Sequence, residues 1–278
     1  MKMLKLMYIT NNPQIAAIAE ETGVDIVFVD LEYMGKKERQ HGMNTVVSNH
    51  KESDIEPIAQ ILNKSEVLVR VNPINDDSFR EINSVILKGA QKIMLPMFKT
   101  PEEVKTFIEI VDGKAVTVLL LEHIDAVRCL DDILQIQGID EIHIGLNDLH
   151  LSMQMDFMFE PFANGMVENI VKKIKEKDIP FGIGGIARLG QGLLPSDIII
   201  AEHYRLGSSA AILSRTFCDL KKVKTYHEVK ALFEQGVKDI RKYEETLLKK
   251  DNDFFEKNKE LMDDKINEIV NKKGLGTE

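Results

Sequence analysis

The fold is decided by two stretches, Val116-Thr117-Val118-Leu119-Leu120-Leu121-Glu122 and Ile142-His143-Ile144-Gly145-Leu146-Asn147-Asp148. Each is a short, mostly apolar run, which is typical of a strand buried on both faces in a parallel sheet flanked by helices. Both runs lead to an acid, Glu122 or Asp148. In an α/β barrel the carboxyl ends of the strands form the functional face, so we expect the two carboxylates to meet there.

Similar runs alternate with amphipathic stretches along most of the chain. The predicted strands are 6–10, 26–31, 67–71, 92–96, 116–121, 141–146, 181–186 and 198–206. The predicted helices are 14–21, 55–62, 79–88, 102–111, 126–135 and 165–177. Thr100, Pro101 and Glu103 predict a capping box at the start of one helix. This β-then-α alternation predicts a (β/α)₈ TIM barrel, with a doubly wound open sheet as the alternative.

The predicted barrel, which would be the catalytic domain, occupies 1–225, and 226–278 form a charged C-terminal helical tail without strand signals. The charges of this tail are typical of a solvated helix face. Its apolar positions could instead dock on a second subunit, so a homo-oligomer is a hypothesis. These positions are Leu247, Phe254, Phe255, Leu261 and Ile266.

Composition narrows the class of partner. The chain has 278 residues, a formal net charge of −9 and two cysteines. Nucleic acids and anionic membranes need a basic patch, so we expect neither as a partner and favour a small-molecule substrate. Residues 1–8 are too short and too interrupted by lysine for a signal sequence, and no run approaches the roughly twenty apolar residues of a membrane span. The two cysteines lie beside apolar residues, and a chain with a large core needs no disulfide, so we expect a cytoplasmic protein.

Glu122 and Asp148 are the first candidate functional pair. Each alone could be a surface acid just beyond a strand, but two acids at the same end of neighbouring strands can hold one hard divalent cation. Gly145 precedes Leu146 and Asn147, and a glycine lets the backbone approach a ligand closely. Exposed N–H groups in this segment could bind an oxyanion.

Arg70, Asp30 and Glu32 form a second candidate group. Arg70 lies at the carboxyl end of the third predicted strand, where its guanidinium could pair with a substrate carboxylate or a developing enolate. The alternative is a salt bridge to one of the barrel acids. Asp30 and Glu32 point to the same side because side chains alternate along a strand. They could support metal-bound water or simply cap the following loop.

Taken in order, these segments resemble the HpcH/HpaI aldolase and citrate lyase family of the pyruvate/phosphoenolpyruvate superfamily. The likeness is good over about 24–155 and loose elsewhere. The segments that carry it are Asp30-Leu31-Glu32, Val69-Arg70-Val71, Gly89-Ala90-Gln91-Lys92-Ile93-Met94-Leu95-Pro96-Met97, Glu122 with Ala126-Val127, and Gly138-Ile139-Asp140-Glu141-Ile142-His143-Ile144-Gly145-Leu146-Asn147-Asp148-Leu149.

The resemblance implies a metal-dependent barrel that makes or breaks a carbon–carbon bond next to pyruvate. It implies that Glu122 and Asp148 bind Mg²⁺ or Mn²⁺, which pyruvate chelates through its carboxylate and keto oxygen. It also implies that Arg70 stabilises the enolate. The backbone from Gly145 to Asp148 would receive the substrate carboxylate.

Three positions depart from the pattern that the resemblance implies. Tyr33 stands where these aldolases usually have a histidine of the base system. Leu120 stands where they have a glutamine, and His123 replaces the usual threonine after the metal glutamate. The predicted metal ligands are therefore retained, whereas the base and part of the substrate shell are changed.

The segment after the second predicted strand offers replacements for the base. His50 or His41 could act as the general base, and Lys36 or Arg39 could bind an anionic group of the substrate. A loop histidine is also commonly just solvated. His123 is a further candidate because it adjoins Glu122.

The glycine-rich segment 181–188 and the segment 201–209 suggest a phosphate site. Barrels often bind phosphate with the loops after strands seven and eight and a helix amino terminus. The alternative is that the glycines only allow close packing. A phosphate site would indicate a substrate larger or more anionic than a simple keto acid.

These observations predict a metal-dependent lyase that cleaves or forms a β-hydroxy 2-oxo acid from pyruvate and an aldehyde, with Arg70 as the enolate stabiliser and His50 in the base system. A second possibility is an acyl-CoA lyase of the citrate or malyl-CoA type. A third is a non-catalytic barrel that has lost its aldolase base, although retention of Glu122, Asp148 and Arg70 argues against it.

Overall fold

A closed barrel forms the body of the protein. The computed structural model describes residues 2–35, 49–214, 217–219, 223 and 225–274. Within these residues, parallel strands close in sequence order, and the last pairs with the first. The predicted (β/α)₈ TIM barrel is confirmed, and helices follow it at the C-terminal end of the chain.

The first seven strands lie where the sequence predicts them, with ends shifted by no more than two residues. The strands are β1 (Lys5–Ile9), β2 (Ile26–Asp30), β3 (Glu66–Arg70), β4 (Lys92–Leu95), β5 (Val116–Leu121), β6 (Glu141–Ile144), β7 (Phe181–Ile186) and β8 (Ala210–Leu213).

The helices cover the outside of the barrel and extend beyond it. They are α1 (Pro13–Glu21), α2 (Ile55–Ile61), α3 (Ser78–Leu87), α4 (Pro101–Val111), α5 (Ile124–Arg128), α6 (Leu130–Ile133), α7 (Leu146–Ser152), α8 (Glu160–Ala163), α9 (Met166–Lys175), α10 (Ser196–Leu206), α11 (Tyr226–Leu247) and α12 (Asn252–Gly274), and a 3₁₀ helix covers Glu52–Asp54. The capping box of α4 is confirmed, since Thr100 Oγ1 accepts from the Glu103 amide and Glu103 accepts from the Thr100 amide.

The prediction of a strand over 198–206 is wrong. This run belongs to helix α10, and β8 follows at Ala210–Leu213. Helix α10 is buried on nearly all sides, so its apolar residues do not show the one-sided pattern by which a surface helix is recognised. Gly207, in the left-handed region at φ 77°, ends the helix.

Apolar side chains form two layers around the strands. Outward-pointing strand residues pack beneath the helices, and a smaller inward-pointing cluster fills the barrel. This inner cluster consists of Met7, Ile26, Phe28, Leu68, Met94, Val118, Leu120 and Ala210. A filled interior leaves chemistry to the strand ends and their loops.

Charged residues close the amino-terminal end of the barrel. Lys92, which is 1% exposed, places its Nζ 2.5 Å from Glu141 and 3.4 Å from Glu66. Lys5 contacts the same oxygen of Glu66 at 3.4 Å. All four residues begin a strand, so their ion pairs lie at the end of the barrel opposite to the predicted site.

Helix α11 packs on the barrel wall. The ring of Phe233 meets those of Tyr8 and Phe217 edge to face, at centroid distances of 4.7 and 5.5 Å. The buried carboxylate of Glu244 accepts from the Leu4 amide and from the Tyr204 hydroxyl. These contacts join the predicted tail to β1 and α10.

Three of the apolar tail residues are not available to a partner subunit. Leu247, Phe255 and Ile266 are buried within the chain, so the docking role predicted for them is wrong. Phe254 is half-buried and Leu261 is 47% exposed. The homo-oligomer stays a prediction.

A membrane-spanning helix was not expected from the sequence. Among the helices of the described residues, none combines the length and apolar character that crossing a bilayer requires.

A buried histidine lies inside the barrel. His143 is on β6, and its Nε2 lies 3.1 Å from the Gly184 carbonyl oxygen, to which it can donate. A Cβ at Gly182 would overlap the imidazole ring, so the glycine of β7 makes room for it. Burial lowers the pKa of His143 to about 4. The ring is therefore neutral at physiological pH.

We expect the stability of the protein to fall in mild acid because of this histidine. Its folded-state pKa lies below the ordinary value of 6.5, so the unfolded chain takes up the proton more readily between pH 6.5 and 4. The free energy of unfolding should be highest above pH 6.5 and decline toward pH 4, by at most about 1.4 kcal/mol per pH unit for this group. Urea unfolding between pH 7.5 and 4.5 measures the slope.

His143→Asn should reduce this slope but not abolish it, because burial also lowers the pKa of His203 to about 3. His227→Gln, at an exposed position of α11, should leave the slope unchanged. Equal slopes in the wild type and His143→Asn would contradict the burial effect.

Candidate active site

Glu122 and Asp148 lie at the same end of neighbouring strands. Glu122 directly follows β5, and Asp148 is in the first turn of α7, which begins just after β6. The two strands pair in parallel, with Leu121 opposite Ile144. Strand pairing therefore brings the two acids, which are far apart in the sequence, to the same end of the barrel, as the sequence predicts.

The carboxylate of Glu122 is held by backbone on two sides. It is 3% exposed, and Oε1 accepts a hydrogen bond from the Met97 amide at 3.2 Å. A Cβ placed on Gly145 would lie 2.8 Å from the Glu122 Cβ and 2.9 Å from its Oε2. Only a residue without a side chain leaves this space to the carboxylate.

Met97 adopts an uncommon conformation at this contact. Its φ of 53° lies in the left-handed region, which costs a non-glycine residue about 1 kcal/mol or more. The conformation belongs to the turn that presents the Met97 amide to Glu122. The chain therefore accepts local strain where it fixes a buried acid.

Arg70 pairs with both acids at the end of β2. Its Nε and Nη2 donate to the two oxygens of Asp30 at 2.8 and 2.9 Å, and Nη2 lies 3.3 Å from Glu32. Asp30 and Glu32 thus face the same side, as predicted from strand alternation. The salt bridge that was one alternative for Arg70 is present, and its guanidinium also lies 5.6 Å from the Phe28 ring centroid.

The charge of Arg70 is stabilised by these neighbours. Burial alone would lower its pKa, but the charges of Asp30 and Glu32, followed by that of Glu122, raise the pKa above its ordinary value. Glu122 is therefore within electrostatic reach of the guanidinium. The structure brings Arg70, Asp30, Glu32 and Glu122 into one charged group.

The amides predicted to bind an oxyanion are only partly available. The Gly145 N–H donates to the Leu121 carbonyl at 2.9 Å, so it continues the strand pairing. Leu146 and Asn147 lie in the first turn of α7, where N–H groups lack acceptors within the helix. Gly145 serves the site mainly by leaving room for Glu122.

A cleft of about 590 Å³ opens beside Asp148. Its walls include Met97, which contacts Glu122, and His123, which follows Glu122. Lys99 from the loop after β4 also lines it, and sequence reasoning did not identify this residue. Its position three residues after a predicted strand was the sequence signal that could have placed Lys99 at the functional face.

His123 and His50 each use Nδ1 as an acceptor. The Asp125 amide donates to His123 at 3.2 Å, and the Asp30 amide donates to His50 at 3.0 Å. A neutral ring that accepts at Nδ1 carries its proton on Nε2. His123 lines the cleft with Asp148, whereas His50 lines a neighbouring cavity of about 240 Å³ with Asn72.

Asn72 is a supporting residue that the sequence reasoning missed. Its Oδ1 accepts from the amides of Tyr33 and Met34, and its Nδ2 donates to Glu81 at 2.8 Å. Burial raises the pKa of Glu81. The pair fixes the backbone that leaves β2, and the Asn72-Pro73 sequence after Arg70 was a usable signal.

The structure changes the predicted phosphate site. Segment 201–209 covers the end of α10 and the approach to β8, so it lies at the amino-terminal end of that strand and not at the functional face. That half of the prediction is wrong. The loop after β7 does lie at the functional face. His41, Lys36 and Arg39 lie outside the described residues.

The carboxylates of Glu122 and Asp148 are the candidate ligands for a divalent ion. Among the described residues, no group of three or more histidine, cysteine or acidic side chains is arranged to hold a metal. Mg²⁺ is commonly held by one or two carboxylates together with water and substrate. Glu122, in the space left by Gly145, and Asp148, beside an open cleft, fit this kind of site.

Solved structures with the same fold come from aldolases and a citrate synthase. The HpcH/HpaI aldolase from Desulfitobacterium hafniense DCB-2 has 16% sequence identity, a TM-score of 0.60, and coverage of 86% of this chain and 93% of its own. An HpcH/HpaI aldolase/citrate lyase family protein from Burkholderia cenocepacia J2315 has 14% identity, a TM-score of 0.62 and coverage of 86% and 95%. The citrate synthase SbnG has 18% identity, a TM-score of 0.58 and coverage of 77% and 86%.

A comparison of the sequence with curated proteins finds no match. The family model of HpcH/HpaI aldolase/citrate lyase matches residues 5–158. This range includes the residues that the structure gathers around Arg70 and Glu122, and it supports a lyase-type function. Because the match covers more than half of the 278 residues, the chain belongs to the HpcH/HpaI aldolase/citrate lyase family.

Proposed function

We propose that this protein is a divalent-metal-dependent carbon–carbon lyase that forms or cleaves a 2-oxo acid with a hydroxyl group β to the keto carbon, through a pyruvate enolate. The observation that carries the proposal is the position of Glu122. Its carboxylate lies against Gly145, which precedes the turn that bears Asp148, and within the field of Arg70. Membership in a family of aldolases and lyases supports the same chemistry.

Glu122 and Asp148 are the residues that would hold the ion, Mg²⁺ or Mn²⁺. Both ions prefer oxygen donors, and two carboxylates leave coordination positions for water and for the substrate. When bound, the ion would supply a Lewis acid that polarises the keto group of pyruvate. The Met97 amide and the space at Gly145 fix the Glu122 donor in advance.

Arg70 would stabilise the negative charge that develops on the keto oxygen. A fixed cation in a water-poor site lowers the barrier most when it needs no reorganisation during the reaction. The bidentate contact with Asp30 and the contact with Glu32 hold the guanidinium in place. Asp30 and Glu32 are therefore proposed as positioning residues for Arg70.

The first turn of α7 would bind the carboxylate of pyruvate. The amides of Leu146 and Asn147 are the available donors, because the Gly145 amide is used by β5. Amides at the start of a helix favour an anion through both hydrogen bonding and the helix dipole. With the carboxylate bound at α7 and the keto group at the ion, the methyl carbon of pyruvate would be the carbon that reacts.

In synthesis, the methyl carbon gives a proton to water and bonds to the aldehyde carbon, and the aldehyde oxygen takes up a proton from water. We propose a role for His50 at the aldehyde oxygen. Its contact with the Asp30 amide leaves the proton on Nε2, so the ring would donate a hydrogen bond to the aldehyde oxygen and stabilise the charge that develops there.

We predict that Glu122→Gln abolishes enolate formation. The test is exchange of the pyruvate methyl protons with solvent deuterium, followed by NMR with added Mg²⁺ or Mn²⁺ and then with a chelator. Exchange should require the metal and should fall by about 100-fold or more in the variant, because the ion that would stabilise the charge on the keto oxygen loses a charged ligand.

Glu103→Gln is the matched control for this test. Glu103 lines the same cleft, and glutamine can keep its capping contact with Thr100. The control should exchange at the wild-type rate. An absence of metal-dependent exchange in the wild type, or equal loss in both variants, would refute the proposal.

Gly145→Ala tests the space beside Glu122 without changing a charge. The φ of Gly145 is −88°, so its backbone accepts alanine, but the new Cβ would press on the Glu122 carboxylate. We expect the affinity for Mn²⁺, measured by titration calorimetry, to fall by about 10- to 100-fold, as for other residues that orient a metal ligand.

Gly185→Ala on β7 is the control, since its Cβ would meet only the Ile212 carbonyl at 3.4 Å. Circular dichroism should show that both variants stay folded. Unchanged Mn²⁺ affinity in Gly145→Ala would show that Glu122 does not hold the ion.

A further inference from the structure

Arg188 differs from the other described arginines. Within the part of the chain that the structure describes, all the others form an ion pair with a carboxylate: Arg70 with Asp30, Arg80 with Asp77, Arg128 with Asp125, Arg205 with Glu202, and Arg241 with Glu244. The Nε of Arg188 is buried and has no hydrogen-bond partner. A buried donor without an acceptor lowers the stability of the fold by about 1–3 kcal/mol.

The position of Arg188 places it at the functional face. It lies two residues beyond the carboxyl end of β7, and β7 pairs with β6. A Cβ on Gly184 would lie 2.9 Å from the side chain of Leu146 at the start of α7. The end of β7 is therefore packed directly against the segment that carries Asp148.

An electrostatic interaction places Arg188 within reach of the segment after β8. Burial raises the pKa of the Cys218 thiol, and the positive charge of Arg188 opposes this rise. Cys218 follows β8 and is 2% exposed. Arg188 thus lies between the end of β7 and the segment after β8, where barrels commonly bind anionic groups.

The backbone beneath Arg188 is fixed. The hydroxyl of Ser196, which is fully buried, accepts from the Ala187 amide and donates to the Ala187 carbonyl, both at 2.8 Å. The Arg188 carbonyl accepts from the Gln191 amide at 3.0 Å. Because hydrogen bonds fix this backbone, less conformational entropy is lost when Arg188 binds a ligand.

We infer that Arg188 binds an anionic substituent, a carboxylate or a phosphate, on the aldehyde that reacts with pyruvate. The inference rests on the proposed function for the identity of the second substrate. A guanidinium presents several donors in one plane and matches both oxyanions. The pyruvate end of the site, around Glu122 and Arg70, is then separate from the end that selects the aldehyde.

The test compares three aldehydes that differ in charge: glycolaldehyde, which is neutral, glyoxylate, which carries a carboxylate, and glycolaldehyde phosphate. We expect the wild type to prefer one of the two anionic aldehydes in synthesis with pyruvate. Arg188→Gln should lower kcat/KM for that aldehyde by about 10- to 100-fold, mainly through KM, because a charge-assisted contact is lost. Activity with glycolaldehyde should change less than about twofold, since it makes no such contact.

Arg188→Lys should restore part of the preference, since the charge is kept and the planar donor set is lost. Arg128→Gln, at a 71% exposed position on α5, is the matched control and should behave as the wild type. Equal losses for neutral and anionic aldehydes in Arg188→Gln, or no preference in the wild type, would overturn the inference.

Two further measurements separate this inference from the proposed function. Exchange of the pyruvate methyl protons should persist in Arg188→Gln, and its absence from the wild type would refute the proposed function alone. Titration calorimetry of each anionic aldehyde without pyruvate does not need turnover. The wild type should bind the preferred one and Arg188→Gln should not, and failure of both aldehydes to bind the wild type would overturn the inference about Arg188.

Discussion

The pairing of Arg70 with Asp30 across neighbouring strands is the interaction on which the rest of the site depends. The two residues are opposite each other in the register of β2 and β3, so a bidentate contact forms without distortion of either strand. Removing the guanidinium would leave Asp30 and Glu32 buried without this cation, which is strongly destabilising. Because Glu122 lies in the same field, the pairing also sets the charge around the candidate metal ligand.

Support for this charged group comes mainly from the backbone. The Asp30 amide is held by His50, the turn after Glu32 is held by Asn72, and the Glu122 carboxylate is held by the Met97 amide. A closed barrel makes such support possible because the strand ends cannot move independently. The strain at Met97 is tolerated for the same reason, since the turn leaves β4 and is held by Glu122 at the end of the neighbouring β5.

The sequence pattern of the strands predicted their positions and the direction of their side chains, whereas the sequences of the loops predicted few of the contacts in the site. Alternation placed Asp30 and Glu32 on one side, and the buried runs located β1 to β7, because both signals depend on local spacing alone. β8 was missed because the longer apolar run before it is a buried helix, whose residues lack a polar face. The contacts of Asn72 with the amides of Tyr33 and Met34 join the loops after β3 and β2, so they follow from the closed fold and no local pattern contains them.

The residues proposed for the two substrates lie at the ends of different strands of the barrel. The residues proposed for enolate chemistry lie at or just beyond the ends of β2, β3, β5 and β6, whereas Arg188 follows β7 on a backbone that Ser196 holds separately. A substitution at Arg188 therefore need not disturb the charges around Arg70. Under the proposed function, the residues after β7 would set the second substrate, and the acids after β5 and β6 would hold the ion for the enolate chemistry.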